Sequence, residues 1–289
     1  MVRPKDLKTK IFLDSGDPAE TREMIERLGF LDGQTTNPTL IAKNPDAKER
    51  FEKGEKFTAE EIIDFYQKVV KEISGLIPTG SVSIEVYADQ NTTAEAMLKQ
   101  GREFFGWIPN AQIKFPTTAE GLKAAEQAVK EGLRVNMTLC FSQQQAAAVH
   151  AATRGAKKGQ VFVSPFVGRL DDIGQNGMDL IADVLKMYRA ANSPVEVLTA
   201  SVRSLDHFLY ALHLGSDIIT APAKILREWA DQGLKLPEAD FVYPAENLSP
   251  IAYQDLDLSR NWQSFDISHD LTGKGIERFS ADWNNLIKK

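Results

Sequence analysis

The sequence predicts an α/β chain: a (β/α)8 TIM barrel over residues 1–232, with a C-terminal extension over 233–289 belonging to the same domain. Three observations carry that expectation. Short apolar runs of strand length alternate eight times with stretches of helical period. The length of 289 residues suits a single α/β barrel. No repeat of solenoid period and no low-complexity segment offers another architecture.

The first strand is KIFLD (10–14), an apolar run closed by an acid, and the helical spacing that follows stops at Gly29. LDGQTTN (31–37) is the second strand, with Pro38 opening a brief helical turn. Residues 44–56 are polar and aperiodic and read as a loop insertion. Thr58 and Glu61 form a capping box for a helix over 59–73. SVSIEVYA (81–88) is the third strand and carries an embedded Glu85. After a helix over 93–105 comes AQIKFP (111–116), ended by its proline, with Thr117, Thr118 and Glu120 supplying cap chemistry for the next helix. RVNMTLC (134–140), QVFVSPFV (160–167), VEVLTASV (195–202) and DIITA (217–221) complete the strands. Helices fall over 142–154, 178–191 and 205–214, and a polar, glycine-containing loop over 168–177. The extension is irregular and aromatic-rich until helical spacing returns over 271–287, with Phe279 and Trp283 on one side. Such a helix covers a barrel face or a partner subunit. The sequence leaves that choice, and homo-oligomerisation with it, open.

Composition narrows the function. A hydrophobic share of 43% and a charged share of 26% are ordinary globular values. The net charge of −6 argues against nucleic acid or an anionic membrane as partner. One cysteine, Cys140, excludes an internal disulfide framework and fits a reducing cytosol. Residues 1–6 lack an apolar run of signal-peptide length and no later stretch is long enough to span a bilayer, so a soluble, cytoplasmic protein is expected.

In a barrel of this kind catalytic groups gather at the C-terminal ends of the strands. Polar residues sit there in nearly every strand: Asp14, Asn37, Glu85, Lys114, Asn136, Thr138, Ser164, Ser201 and Arg203, with Arg169 just after the sixth. Singly, each has a plain structural explanation. Asp14 and Ser164 suit caps, Asn37 before Pro38 suits a turn, Thr138 suits a strand, and a lone lysine snorkels. Glu85 is the least comfortable, because a carboxylate among Ile84, Val86 and Tyr87 needs a partner or a proton. Taken together they make coherent chemistry. An amine that loses solvent favours its free form, attacks a carbonyl and holds the substrate as a Schiff base, which makes Lys114 the nucleophile. The proton transfers of such chemistry fall to Asp14 and Glu85, two carboxylates driven apart in pKa by sharing one dry site. Asn37 and Asn136 suit substrate hydroxyls, and Arg169 and Arg203 with Ser201 suit a phosphate. His150, His207, His213 and His269 lie in helices or the tail, away from the strand ends, without metal spacing or a paired nucleophile, and read as structural.

The runs LDGQTTNPTLI (31–41), AQIKFPTT (111–118), NMTLCFS (136–142), VSPFVGRLDD (163–172) and TASVRS (199–204) resemble the signature segments of transaldolases in kind, order and spacing. GIERFSADW (275–283) is similar to the closing helix of the longer members. The resemblance implies a permuted class I aldolase barrel that needs no metal or organic cofactor. Lys114 then forms a Schiff base with a ketose phosphate, fructose 6-phosphate or sedoheptulose 7-phosphate, and a dihydroxyacetone unit passes to an aldose phosphate in the pentose phosphate pathway. It also implies that Asp14 is the acid/base at the cleaved hydroxyl and that Glu85 and Thr138 hold a catalytic water. Asn37, Asn136 and Ser164 correspond to sugar-hydroxyl ligands, and Arg169, Ser201 and Arg203 to the phosphate site. The sibling activity, fructose 6-phosphate aldolase, releases free dihydroxyacetone; its members tend to carry Gln in place of Glu85 and Tyr in place of Phe166, so both positions side with the transferase. A non-catalytic sugar-phosphate-binding barrel would arise by loss of the lysine or the acid, and this chain keeps both. The insertion at 44–56, the 241–265 segment, Met137 and Cys140 depart from the family pattern.

Overall fold

The computed structural model describes residues 1–288. Eight parallel strands pair in chain order and close, the eighth against the first. In sequence the elements are β1 (Lys10–Asp14), α1 (Pro18–Leu28), β2 (Gly33–Thr35), α2 (Pro38–Ala42), α3 (Pro45–Glu52), α4 (Ala59–Leu76), β3 (Ser81–Glu85), α5 (Ala94–Phe105), β4 (Ala111–Pro116) and α6 (Ala119–Lys130). There follow β5 (Val135–Cys140), α7 (Gln143–Ala152), β6 (Val161–Pro165), α8 (Val167–Asp171), α9 (Gly177–Ala190), β7 (Glu196–Thr199), α10 (Leu205–Leu214), β8 (Ile218–Ala221), α11 (Ala223–Asp231) and α12 (Asp270–Leu286). The strands are buried on both faces, β4 and β5 along their whole length, because helices wrap the outside of a parallel barrel.

Six of the eight β-to-α turns are written in capping residues; those before α8 and α11 have no side-chain cap. Asp17, Asn37, Thr93, Thr118, Ser142 and Ser204 accept hydrogen bonds from the first-turn amides of the helices they precede, so chain direction reverses just past those strand ends, and Thr58 does the same for α4 after α3. Glu120 does not complete the cap at Thr118; it accepts instead from Ala94 N at 2.8 Å, at the start of α5.

Several segments differ from the sequence expectation. Residues 44–56 are not simply a loop: α3 occupies Pro45–Glu52, capped by Asn44 and carrying Lys48–Glu52 and Glu49–Lys53 pairs. Its only buried residue is Ala47, so it has no apolar stripe to reveal it. Within 168–177 the single helical stretch α8 carries Arg169. β3 stops at Glu85 and β7 at Thr199, which leaves Ser201 and Arg203 in the loop beyond the strand.

The closing helix covers the barrel. α12 packs on α2 and β5 and buries Ile276, Phe279 and Trp283. β5 shifts register between Met137 and Cys140, Leu139 there takes a positive φ of 57°, and its carbonyl accepts from Thr272 Oγ1 of α12 at 3.0 Å. Gly275 permits this approach, since a Cβ there would lie 2.6 Å from Leu139 Cδ2 and 2.9 Å from Arg169 Nη1. The tail is pinned by two backbone hydrogen bonds of 2.8 Å, Phe57 N to Leu286 O and Lys288 N to Phe57 O. No described helix is long and apolar enough to cross a membrane.

Candidate active site

Strand register brings the polar residues together. Asp14 stands beside Thr35, Glu85 beside Lys114, Lys114 beside Asn136, and Pro116 beside Thr138. A cavity of about 230 Å³ opens at this end of the barrel. Asp14, Asn37, Lys114, Thr138, Ser164, Phe166, Arg169, Ser201 and Arg203 line it. Glu85 and Asn136 do not line it, and both are buried.

Lys114 is 3% exposed, and its Nζ lies 2.7 Å from Glu85 Oε2 and donates to Thr36 O at 3.0 Å. The sequence reading that Glu85 requires a partner finds it in this amine. Tyr66, projecting from α4, holds the backbone beneath: its hydroxyl accepts from Glu85 N at 2.9 Å and lies 2.6 Å from Thr36 Oγ1. Burial pushes the Glu85 carboxyl up from its ordinary range, and Lys114 opposes that rise.

Across the cavity, Asp14 Oδ1 accepts from Thr35 Oγ1 at 2.6 Å, and Thr35 is linked in turn to Thr220 Oγ1 at 2.6 Å. Burial raises Asp14 as well, against the Thr35 hydrogen bond and the charge of Lys114. A carboxyl held in this way exchanges protons closer to neutrality than a solvated one.

The remaining neutral groups are fixed to different degrees. Ser164 Oγ donates to Asn136 Oδ1 at 2.6 Å, and Asn136 Nδ2 donates to Ser83 Oγ at 3.1 Å. Asn37 Oδ1 serves α2, accepting from Leu40 N at 2.9 Å. Thr138 Oγ1 is buried without a hydrogen-bond partner in the protein, so it has capacity for a water or a substrate atom.

Cations form the rim. Arg169 is half-buried with Phe166 and Phe279 at 5.4 and 5.5 Å from its guanidinium carbon. Burial lowers its pKa, and the like charges of Arg278 and Arg203 lower it further. Arg203 is paired with Asp172. Gly168 lets the two arms meet, because a Cβ there would lie 2.4 Å from Ser201 O and 2.8 Å from Arg203 Cγ. Ser201 itself holds a positive φ of 59°, a strained state for a residue with a side chain.

Five polar groups were missed from sequence, among them Thr39 on α2. Lys43 and Arg278 also line the cavity, and so do Thr35 and Thr220. The last two pass as strand formers. Arg278 has a flag in its neighbour Phe279, an aromatic on the buried side of α12. Of the histidines, His207 sits in the first turn of α10, where its Nδ1 accepts from Arg203 N at 3.3 Å and its Nε2 lies 2.8 Å from Asp171 Oδ2. His269 caps α12 and stacks on Phe141 just past β5. Among the described residues no group of three His, Cys, Asp or Glu side chains is arranged to hold a metal ion.

A closed barrel with a buried lysine, two carboxyls of raised pKa and a rim of cations at the C-terminal strand ends is the layout of a barrel enzyme for an anionic substrate. Residues 11–289 match the Transaldolase/Fructose-6-phosphate aldolase family. A probable transaldolase of Dehalococcoides mccartyi is 37% identical over 279 residues, covering 96% of this chain and 100% of that protein. One from Anaeromyxobacter dehalogenans is 40% identical over 279 residues, covering 96% and 98%. The chain belongs to the transaldolase/fructose-6-phosphate aldolase family of enzymes.

Proposed function

We propose that the protein is a transaldolase that carries a dihydroxyacetone unit on Lys114 between sugar phosphates. The observation that carries the reading is the Lys114 amine, buried 2.7 Å from Glu85 and opening on the same cavity as Asp14. Its Nζ adds to the C2 ketone of a ketose phosphate, and the carbinolamine loses water to give an iminium. Ionised Asp14 takes the proton of the C4 hydroxyl as the C3–C4 electron pair moves into the iminium, leaving an enamine and releasing an aldose phosphate. A second aldose phosphate then accepts the C3 carbon, Asp14 returns its proton to the new alkoxide, and water hydrolyses the imine.

Glu85 and Thr138 hold the water for imine formation and hydrolysis; the free hydrogen-bonding capacity of Thr138 Oγ1 supports that role. Ser164 and Asn37 orient sugar hydroxyls, and Asn136 holds Ser164 by accepting its Oγ hydrogen bond. Arg169, Ser201 and Arg203, joined by Lys43 and Arg278, receive the phosphate. The transferase is favoured over the lyase by Glu85 and Phe166. The Phe166 ring, edge-on to Phe141 at 5.7 Å, keeps that wall free of a hydroxyl that would help water reach the enamine. The setting is the pentose phosphate pathway in the cytoplasm, with no cofactor.

The test uses purified protein and fructose 6-phosphate, following glyceraldehyde 3-phosphate with and without erythrose 4-phosphate. Steady release that depends on erythrose 4-phosphate is the expected outcome. Steady release without it supports the lyase, and no release in either condition overturns both.

A further inference from the structure

Away from the cavity, one polar cluster joins three separate segments behind the cationic rim. Tyr243, from the irregular stretch before α12, stacks on His207 of α10 with ring centroids 5.3 Å apart. Its hydroxyl donates to Asp171 Oδ2 at 2.5 Å and lies 2.7 Å from His207 Nε2. His207 is buried, and its Nε2 is 2.8 Å from the same Asp171 oxygen. Because the backbone amide of Arg203 donates to His207 Nδ1 at 3.3 Å, that nitrogen is the acceptor and Nε2 carries the hydrogen facing Asp171. The other Asp171 oxygen accepts from Gly177 N at 2.9 Å, fixing the start of α9.

Besides the contact to Gly177, the cluster connects to the arginines of the rim. Asp171 follows Arg169 by two residues on α8 and precedes Asp172, which pairs with the Arg203 guanidinium. His207 fixes Arg203 through its backbone. A guanidinium is long and has many rotamers, so its affinity for an anion depends on how much of that freedom is removed beforehand. We infer that Tyr243, Asp171 and His207 are positioning residues that pre-set Arg169 and Arg203 for the phosphate group of the substrate, with Tyr243 of the C-terminal extension as the latch. The inference rests on the reading of those two arginines as the phosphate site.

Inorganic phosphate binding to the full-length protein tests it by titration calorimetry, with wild type, Tyr243→Phe and Asp171→Asn. Tyr243→Phe removes one hydroxyl and keeps the ring on His207, and thermal melting checks that each variant is folded. A parallel readout is borohydride trapping of dihydroxyacetone, which has no phosphate. Loss of a hydrogen bond to a carboxylate at this latch is expected to weaken phosphate binding about tenfold. Trapping of dihydroxyacetone is expected to be unchanged. Unchanged phosphate affinity in both variants overturns the inference, as does a wild type that binds no phosphate. Equal losses in phosphate binding and in trapping also overturn it, because a merely structural defect acts on both. A wild type that binds phosphate, weakened by the variants, but traps no dihydroxyacetone leaves the latch standing and removes the proposed role of Lys114.

Discussion

Replacing Arg169 with alanine measures how much of substrate recognition lies in the phosphate. Arg169 is half-buried and has no carboxylate partner among the described residues, so its donors are available to an incoming anion. Charge-assisted hydrogen bonds are each worth roughly 1.5–3 kcal/mol, and a guanidinium offers two in parallel. Arg203 and Arg278 remain after the substitution, and their mutual repulsion with Arg169 is relieved, which offsets part of the loss. A net cost of about 2–3 kcal/mol corresponds to roughly a 30- to 150-fold fall in kcat/KM. The side chain also fills the space between Phe166 and Phe279, and losing that packing harms every substrate alike. The decisive quantity is therefore the ratio of kcat/KM for fructose 6-phosphate to that for unphosphorylated fructose. It is expected to fall by the factor above. Equal losses on both sugars refute the reasoning and remove Arg169 from the phosphate site.

Three other substitutions probe separate parts of the site. Thr35→Val deletes a hydrogen bond that stabilises ionised Asp14, so the Asp14 pKa rises further and the acid limb of the kcat/KM profile moves to higher pH; a limb that stays put or moves down contradicts the base role of Asp14. Phe166→Tyr is expected to shift products toward free dihydroxyacetone, measured as hydrolysis over transfer, and an unchanged ratio rejects the argument from the apolar wall. Gly275→Val forces Leu139 and the Arg169 guanidinium aside and is expected to destabilise the protein by about 1–3 kcal/mol. Because α12 shares buried residues with the barrel, thermal unfolding is expected to remain one transition at a lower Tm; two transitions would mean that the extension unfolds separately from the barrel.

Much of this protein was legible locally. Capping residues such as Thr58 and Thr118 announce helix starts without tertiary help, and strands buried on both faces read as apolar runs. The placement of polar residues at the strand ends was legible for the same reason: in a barrel, sequence position along a strand is position relative to the cavity. Glu85 was the clearest single signal, an acid with no local excuse, and its partner Lys114 lies on the neighbouring strand. What stayed hidden depends on contacts that no short window contains. α3 buries one residue and leans on its caps and surface pairs. Arg278 and Lys43 reach the cavity from helix ends and flanks that tertiary packing brings over the barrel. His207 looked unpartnered because both Asp171 and Tyr243 lie 36 residues from it, one on each side.

The most direct measurement is borohydride trapping of fructose 6-phosphate followed by peptide mapping. Lys43 supplies a second amine in the same cavity, so the position of the adduct matters as much as its presence. A single adduct on the peptide containing Lys114, absent in Lys114→Ala and retained in Lys43→Ala, is the expected result. An adduct on Lys43, or trapping that survives Lys114→Ala, contradicts the assignment of the nucleophile and the mechanism built on it.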